Sequence, residues 1–325
     1  MARSIADPAG GRVAVLGAAS AAGAHLKSAL ADRGIPGGRV ALFGLERGVA
    51  VLSEYDGEAR LVQVSDELDP AAYDAVFVCE SGHDIGALSQ AAASGTLVID
   101  MTGSIPGAVL KTTGVESNDA RLVVVPHAVT LLLAGLLSPI QRAIGVTRVS
   151  GFVLRPASDF GEMGRDELRD QTLRLLRFEP TPTEVFGRQL AFNALPEHLF
   201  PAGEDASSLR VARETRTLLG TPDLPIALSQ ALVPLFFGHA IAVHVDLARP
   251  GYDEVLVAWR GAKDVEIDLG PDSGATLDAP EGSGILISRV DALTDSTLRI
   301  WALGSAAGEV AAASAIAVGV DAGLL

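Results

Sequence analysis

One cysteine, Cys79, is all that 325 residues contain, so no intrachain disulfide framework is available. Aromatic side chains are sparse, at 5% of the chain. Positive charge is in deficit, with 25 lysines and arginines against 40 aspartates and glutamates. A formal charge of −15 with no run of basic residues argues against nucleic acid as a partner, because phosphate binding needs clustered cations. Long apolar runs are missing too. The nearest approach to a membrane span, Ala306 to Leu325, is broken by Gly308, Glu309, Gly319, Asp321 and Gly323, and reads as a packed helix. The first eight residues lack the apolar core of a signal peptide, which makes the cytoplasm the expected compartment. The six histidines show no metal-ligand spacing, so no metal is expected.

What remains is a chain with 48% hydrophobic residues, long enough for two domains and a large core. Short apolar strands are predicted at 12–17, 39–43, 75–79, 97–100 and 121–125, with helical patterns between several of them, notably 18–33 and 83–94. Strands alternating with helices at this spacing predict a parallel, Rossmann-type α/β sheet. After about residue 146 the texture changes. A strand at 147–155 and an amphipathic helix at 164–178 are followed by strand-like stretches at 225–232, 238–247, 254–259, 284–290 and 298–303. This half predicts a mostly antiparallel sheet covered by helices on one face, with a last helix at 307–324 returning to the first domain. The expected division is 1–131 with 305–325, and 132–304.

Gly17-Ala18-Ala19-Ser20-Ala21-Ala22-Gly23 lies between the first strand and the first helix. Glycines there let the backbone turn and approach a pyrophosphate at a helix N-terminus, but they also serve a turn kept for packing alone. Cys79 ends a parallel strand, near Glu80 and His83. It reads either as a small buried side chain or as a thiol at the cofactor crevice. His239 and His244 are five apart on a predicted strand and therefore point to opposite faces.

Three further segments give the chain its character. Val124-Val125-Pro126-His127-Ala128-Val129-Thr130 joins the two halves. Arg155-Pro156-Ala157-Ser158 leads toward Gly161, Gly164, Glu167 and Leu168. Val233-Pro234-Leu235-Phe236-Phe237-Gly238-His239 lies in the second half. This order resembles the aspartate-semialdehyde dehydrogenase family over about residues 12–320. The likeness is greatest to the Usg-type homologues that lack the catalytic cysteine, in stretches such as Gln171 to Leu176 and Phe186 to Pro196.

The resemblance implies a Rossmann-type domain, a second domain that forms a homodimer through strands around 225–245, and a nicotinamide cofactor, NADP or NAD. It implies Gly17, Ser20, Ala21, Ala22 and Gly23 at the pyrophosphate, with Ser20 where the family has its middle glycine and its hydroxyl still available to a phosphate. Arg47 falls where the family holds a 2′-phosphate, although Glu46 beside it favours an unphosphorylated ribose and a solvated surface arginine is the alternative. Of the reacting groups only His239 is retained. The family's Asn-Pro-Asn-Cys-Ser-Thr puts Ala128 at the nucleophile, and its orienting Gln is Arg155. Its two anion-gripping arginines fall at Leu232 and Pro106. At the family's substrate-binding Glu and Lys stand Ser207 and Arg210, the latter keeping its charge. The polar pair near the nicotinamide is Ser305-Ala306.

Loss of a nucleophile alone typically costs about 10^6-fold in turnover. The expectation is therefore a non-catalytic, dimeric family member with residual dinucleotide affinity and an unidentified small-molecule ligand or partner. The alternatives are an active NADP-dependent oxidoreductase acting on an aldehyde or acyl-phosphate in amino-acid biosynthesis, and a different reaction using His239 and Arg155.

Overall fold

A computed structural model describes residues 11–45, 51–111, 120–201, 207–280, 284–304 and 307–325, the first three of the last segment by backbone only. The chain divides into two compact units, residues 1–126 with 311–325, and residues 127–310.

The first unit begins with β1 (Val13–Leu16), α1 (Ala21–Asp32), β2 (Val40–Gly44), the hairpin β3 (Val51–Tyr55) and β4 (Glu58–Val64), then β5 (Ala75–Val78) and α2 (Ile85–Ala93). It continues through β6 (Leu97–Asp100), β7 (Val109–Leu110) and β8 (Leu122–Val124). The sheet order is β3-β4-β2-β1-β5-β6-β8-β7, parallel except for the β3–β4 edge hairpin. Its central strands are apolar without interruption because both faces are covered. Val13 and Val15 join the cluster containing Leu26 and Leu30 of α1, while Ala14 and Leu16 join Leu88 and Ala92 of α2. The strand next to β1 in the sheet is β2 on one side and β5 on the other, so a topological switch falls at Gly17.

The second unit runs α3 (Ala128–Ala143), β9 (Val146–Arg155), α4 (Gly161–Leu176), β10 (Leu195–Pro196), α5 (Ser208–Leu219), β11 (Ile226–Leu232) and β12 (His239–Leu247). Then come α6 (Tyr252–Arg260), β13 (Val265–Ile267), β14 (Ile285–Thr294) and β15 (Thr297–Gly304), before α7 (Ala307–Asp321). The sheet order is β10-β11-β9-β12-β15-β14-β13. It is mixed, since β9 pairs parallel with β11 and β13 parallel with β14. Helices α3, α5 and α6 cover one face through Leu133, Leu136, Leu137, Val211, Val255 and Trp259. The other face carries exposed Phe152, His244 and Arg299, so His239 and His244 do face opposite ways. Helix α7 packs Ala312, Ala315, Ile316 and Val318 into the core of the first unit.

The stretch 254–259, predicted as a strand, is helix α6. Val255 and Trp259 lie four apart and are both fully buried. Asp253 and Glu254 in the first turn and Arg260 in the last suit the helix dipole. The indole Nε1–H of Trp259 donates to the Leu136 carbonyl at 2.8 Å, which ties α6 to α3. Trp259→Phe removes that bond and leaves a partial void, so it should cost about 1–3 kcal/mol. The check is a lowered urea midpoint at unchanged m-value.

Candidate functional site

At the turn after β1, Gly17 adopts φ +78° and lies so close to Glu80 that an added Cβ would sit 2.4 Å from the Glu80 Cβ. A Cβ on Gly23 would come within 2.2 Å of the Gly17 carbonyl oxygen, so this glycine is needed for packing the turn. The N–H groups of Gly17 and Ala18 both donate to the Phe43 carbonyl, at 2.9 and 3.0 Å. Ser20 caps α1. Its hydroxyl accepts from the Gly23 N–H at 3.1 Å and lies 2.7 Å from the Gly17 carbonyl and 3.2 Å from that of Cys79. In this arrangement the hydroxyl closes its own loop. The amides of Ala21 and Ala22 open α1, where an α-helix has no internal acceptor for them. Arg47, Ser305 and Ala306 lie outside the described residues.

A cavity of about 220 Å³ opens beyond the carboxyl ends of β1, β2 and β5, lined by Leu16, Leu45, Ser65, Leu68, His83 and Asp84 among others. His83 is buried there with neither ring nitrogen hydrogen-bonded, and desolvation pushes its pKa down, which favours the neutral ring. Cys79 is no reactive thiol. It is buried in the core, its Sγ lies 3.7 Å from the Met101 sulfur, and burial pushes its pKa up, well above the ordinary range.

The second unit gathers a dense group of charges. Ala128, buried, is the first residue of α3, and His127 caps that helix, its Nδ1 accepting from the Val129 N–H at 3.2 Å. The ring proton of His127 is thereby assigned to Nε2. Desolvation, with the Arg155 and Arg210 charges, holds His127 well below the ordinary imidazole range. Glu214 of α5 organises this corner. Its Oε2 accepts from the His127 N–H at 2.9 Å and from the Thr130 hydroxyl at 2.7 Å, and its Oε1 from Arg210 Nε at 2.7 Å. Arg210 and Glu214 are each 4% exposed.

Arg155 ends β9 and His239 opens β12, and Asp159, on the short turn Ala157–Phe160, joins them. Arg155 Nε lies 2.5 Å from Asp159 Oδ2, and His239 Nε2 lies 3.0 Å from Oδ1. All three side chains are at most 2% exposed, and the guanidinium also stacks over Phe200 at 5.2 Å. Burial alone would raise the Asp159 carboxyl. The His239 and Arg155 charges more than offset that and hold it well below the usual carboxylate range.

Arg155, Arg210, His239 and Ala128, each predicted as a site residue, therefore belong to one unit, where Arg155 and His239 meet through Asp159. Asp159 was missed, because the resembling motif has a glycine there. The only signal was an acidic residue four after Arg155, in a stretch that otherwise matches.

Other positions have changed role. Leu232 is packed with Phe186, Leu190 and Leu195, and its register partner on β9 is Arg155, so this end of the sheet keeps a guanidinium one strand over. Ser207 caps α5 by accepting from the Arg210 N–H at 3.2 Å. Pro106 is exposed just after a loop that Asp100 pins, its carboxylate accepting from the N–H groups of Thr102, Gly103 and Ile105.

The family model for the semialdehyde dehydrogenase dimerisation domain matches residues 137–304. The chain belongs to the semialdehyde dehydrogenase family. Among curated proteins it is similar to aspartate-semialdehyde dehydrogenase 2 of Vibrio cholerae serotype O1. The two are 27% identical over 324 residues, covering 94% of this chain and 96% of that one. A USG-1 protein homolog of Azotobacter vinelandii is 26% identical over 249 residues, covering 73% and 74%. The crystal structure of aspartate semialdehyde dehydrogenase II of Vibrio cholerae, complexed with ASA, matches with a TM-score of 0.77. Its identity is 25%, and the match covers 96% of this chain and 98% of that one. The two-domain architecture, a Rossmann-like domain with a dimerisation domain, is that of these structures. Among the described residues no helix is long and apolar enough to cross a membrane, and no group of three or more His, Cys, Asp or Glu is placed to hold a metal ion.

Asp159 supplies a pH test. Its folded pKa lies below the unfolded value of about 3.9, so its contribution to stability is complete above that value and is lost as pH falls through the folded one. Asp159→Asn should cost about 3–5 kcal/mol at neutral pH, because it breaks a buried ion pair. It should also flatten the fall in stability below about pH 4, read by urea unfolding at a series of pH values.

Proposed function

We propose that this chain retains the scaffold of a semialdehyde dehydrogenase, has given up the cysteine-dependent reaction, and acts as a homodimer that binds a small molecule or a partner. The observation that carries the reading is the methyl of Ala128 at the first position of α3, where the family resemblance calls for a thiolate at a helix N-terminus. Without a nucleophile there is no thiohemiacetal and no acyl-enzyme. Thr130 does not replace it, because it is fully buried and the carboxylate its hydroxyl donates to, Glu214, is already committed to Arg210 and the His127 N–H. Cys79 does not either, being a buried thiol of the first unit with a raised pKa.

NADP or NAD affinity is weak in this reading. The Gly17 and Ala18 amides and the Ser20 hydroxyl are engaged within the protein, and Glu80 sets an acidic residue beside the turn. The amides of Ala21 and Ala22 and the cavity beside His83 are what remain for a nucleotide. Calorimetric titration with NADPH and NADH, beside an assay of aspartate-semialdehyde turnover, tests this. The expected result is binding weaker than about 0.1 mM and no turnover, with Ala128→Cys alone failing to restore it because Arg155 still stands where the resemblance places glutamine. Turnover that disappears with a thiol-blocking reagent would overturn the proposal.

The homodimer forms through the uncovered sheet face, where Phe152 is 41% exposed between strands β11 and β12. A carboxylate in place of this aromatic ring would have to be desolvated in the dimer contact. Phe152→Asp should therefore convert the dimer to monomer in light scattering while leaving the circular dichroism spectrum unchanged.

A further inference from the structure

We propose that the outer edge of β13 docks an extended peptide in which basic and apolar residues alternate, adding it to the second sheet as a further strand. β13 ends that sheet, with β14 on one side and no strand on the other. Its parallel pairing with β14 engages only every second residue. The Ile285 N–H donates to the Asp264 carbonyl at 2.8 Å, and the Asp268 N–H donates to the Ile287 carbonyl at 3.0 Å. Val265 stands opposite Ile285 and Ile267 opposite Ile287. In a parallel ladder this phase turns the N–H and C=O groups of Val265 and Ile267 away from β14. Among the described residues no backbone group pairs with them on that side. Such a row of donors and acceptors is a template for another strand.

The two faces beside this edge differ in chemistry. Val265 and Ile267 are half-buried against the core that holds Val255 and Trp259 of α6, and with Leu269 and Arg260 they line a groove. Glu266 and Asp268 alternate with them along the chain and are exposed. They line a second groove, shared with Asp272 and Asp278, and no lysine or arginine among the described residues lines it. A strand laid along β13 sends successive side chains to opposite faces. Its apolar residues then meet Val265, Ile267 and Leu269, and its basic residues meet the carboxylates. Main-chain hydrogen bonds supply affinity in this mode of recognition, and the flanking grooves select the side chains. Charge narrows the class further. An acidic segment is repelled, and an apolar one desolvates the carboxylates without pairing them. A second copy of the chain is disfavoured for the same reason, because two paired β13 edges would set Glu266 and Asp268 of both chains side by side.

Docking at this edge is independent of any turnover by the chain, so aspartate-semialdehyde assays leave it untouched. The test titrates the full chain with the synthetic peptide acetyl-Lys-Val-Lys-Val-Lys-Val-amide, followed by fluorescence anisotropy of a labelled form. The comparison peptides are its block isomer, Lys-Lys-Lys-Val-Val-Val, and the acidic Glu-Val-Glu-Val-Glu-Val. The alternating basic peptide should bind at least about tenfold more tightly than either. Ile267→Pro deletes an outward N–H while sparing the bonds to β14, a substitution that edge strands tolerate, and should weaken binding at least about tenfold. Glu266→Gln/Asp268→Asn should weaken it too and flatten its dependence on salt. Hydrogen exchange at the Val265 and Ile267 amides should slow when the peptide binds. No binding below about 1 mM overturns the proposal, as does equal binding of the block isomer or indifference to Ile267→Pro. If Ile267→Pro lowers the oligomeric state of the free chain in light scattering, the edge belongs to a second copy and the proposal fails. If Ile267→Pro does not fold, exchange in the native chain decides: slowing at Val265 and Ile267 supports the docked strand, and unchanged exchange overturns it.

Discussion

A carboxylate held between a guanidinium and an imidazole, with almost no water reaching any of the three, is the constraint on which the second unit depends. Burying these charges is unfavourable one at a time and tolerable only together. The Arg155–Asp159–His239 contact therefore clamps the end of β9, the turn at Ala157–Phe160 and the start of β12 into one arrangement. A second carboxylate, Glu214, does the same for the start of α3 and for α5. Between them they fix the surroundings of Ala128, and they do so with groups that hydrogen-bond inward.

That inward turn recurs across the molecule. Ser20 stands where the family fingerprint has a glycine, and it caps α1. Ser207, where the resemblance places an acidic residue, caps α5. Leu232 stands at an arginine and fills a core beside Phe186 and Leu195. Each of these side chains satisfies the protein itself. Caps of this kind are worth about 1 kcal/mol each.

Much of this was legible in the sequence. The strands of the first unit are uninterrupted apolar runs between turn residues, and sheets covered on both faces produce that signal. Helix α6 was hidden because Val255, Leu256 and Val257 read locally as a strand, whereas the deciding feature is the buried i,i+4 pair Val255 and Trp259. Helix α3 was obscured by Gly135 and Pro139 within it, and the β3–β4 hairpin by its half-polar edge. The losses at Ala128, Leu232 and Pro106 could be read by position against the family pattern. The gain at Asp159 could not, because its meaning depends on His239, eighty residues away in sequence, and only the β9–β12 pairing brings them together.

Helix α7 carries a consequence for how the molecule assembles. The first unit takes Ala312, Ala315, Ile316 and Val318 into the same core as β1 and β5, yet the whole of residues 127–310 separates them in sequence. Until α7 has been made, the sheet of the first unit keeps part of its apolar face uncovered, whereas the second unit is continuous in the chain and needs no such late segment.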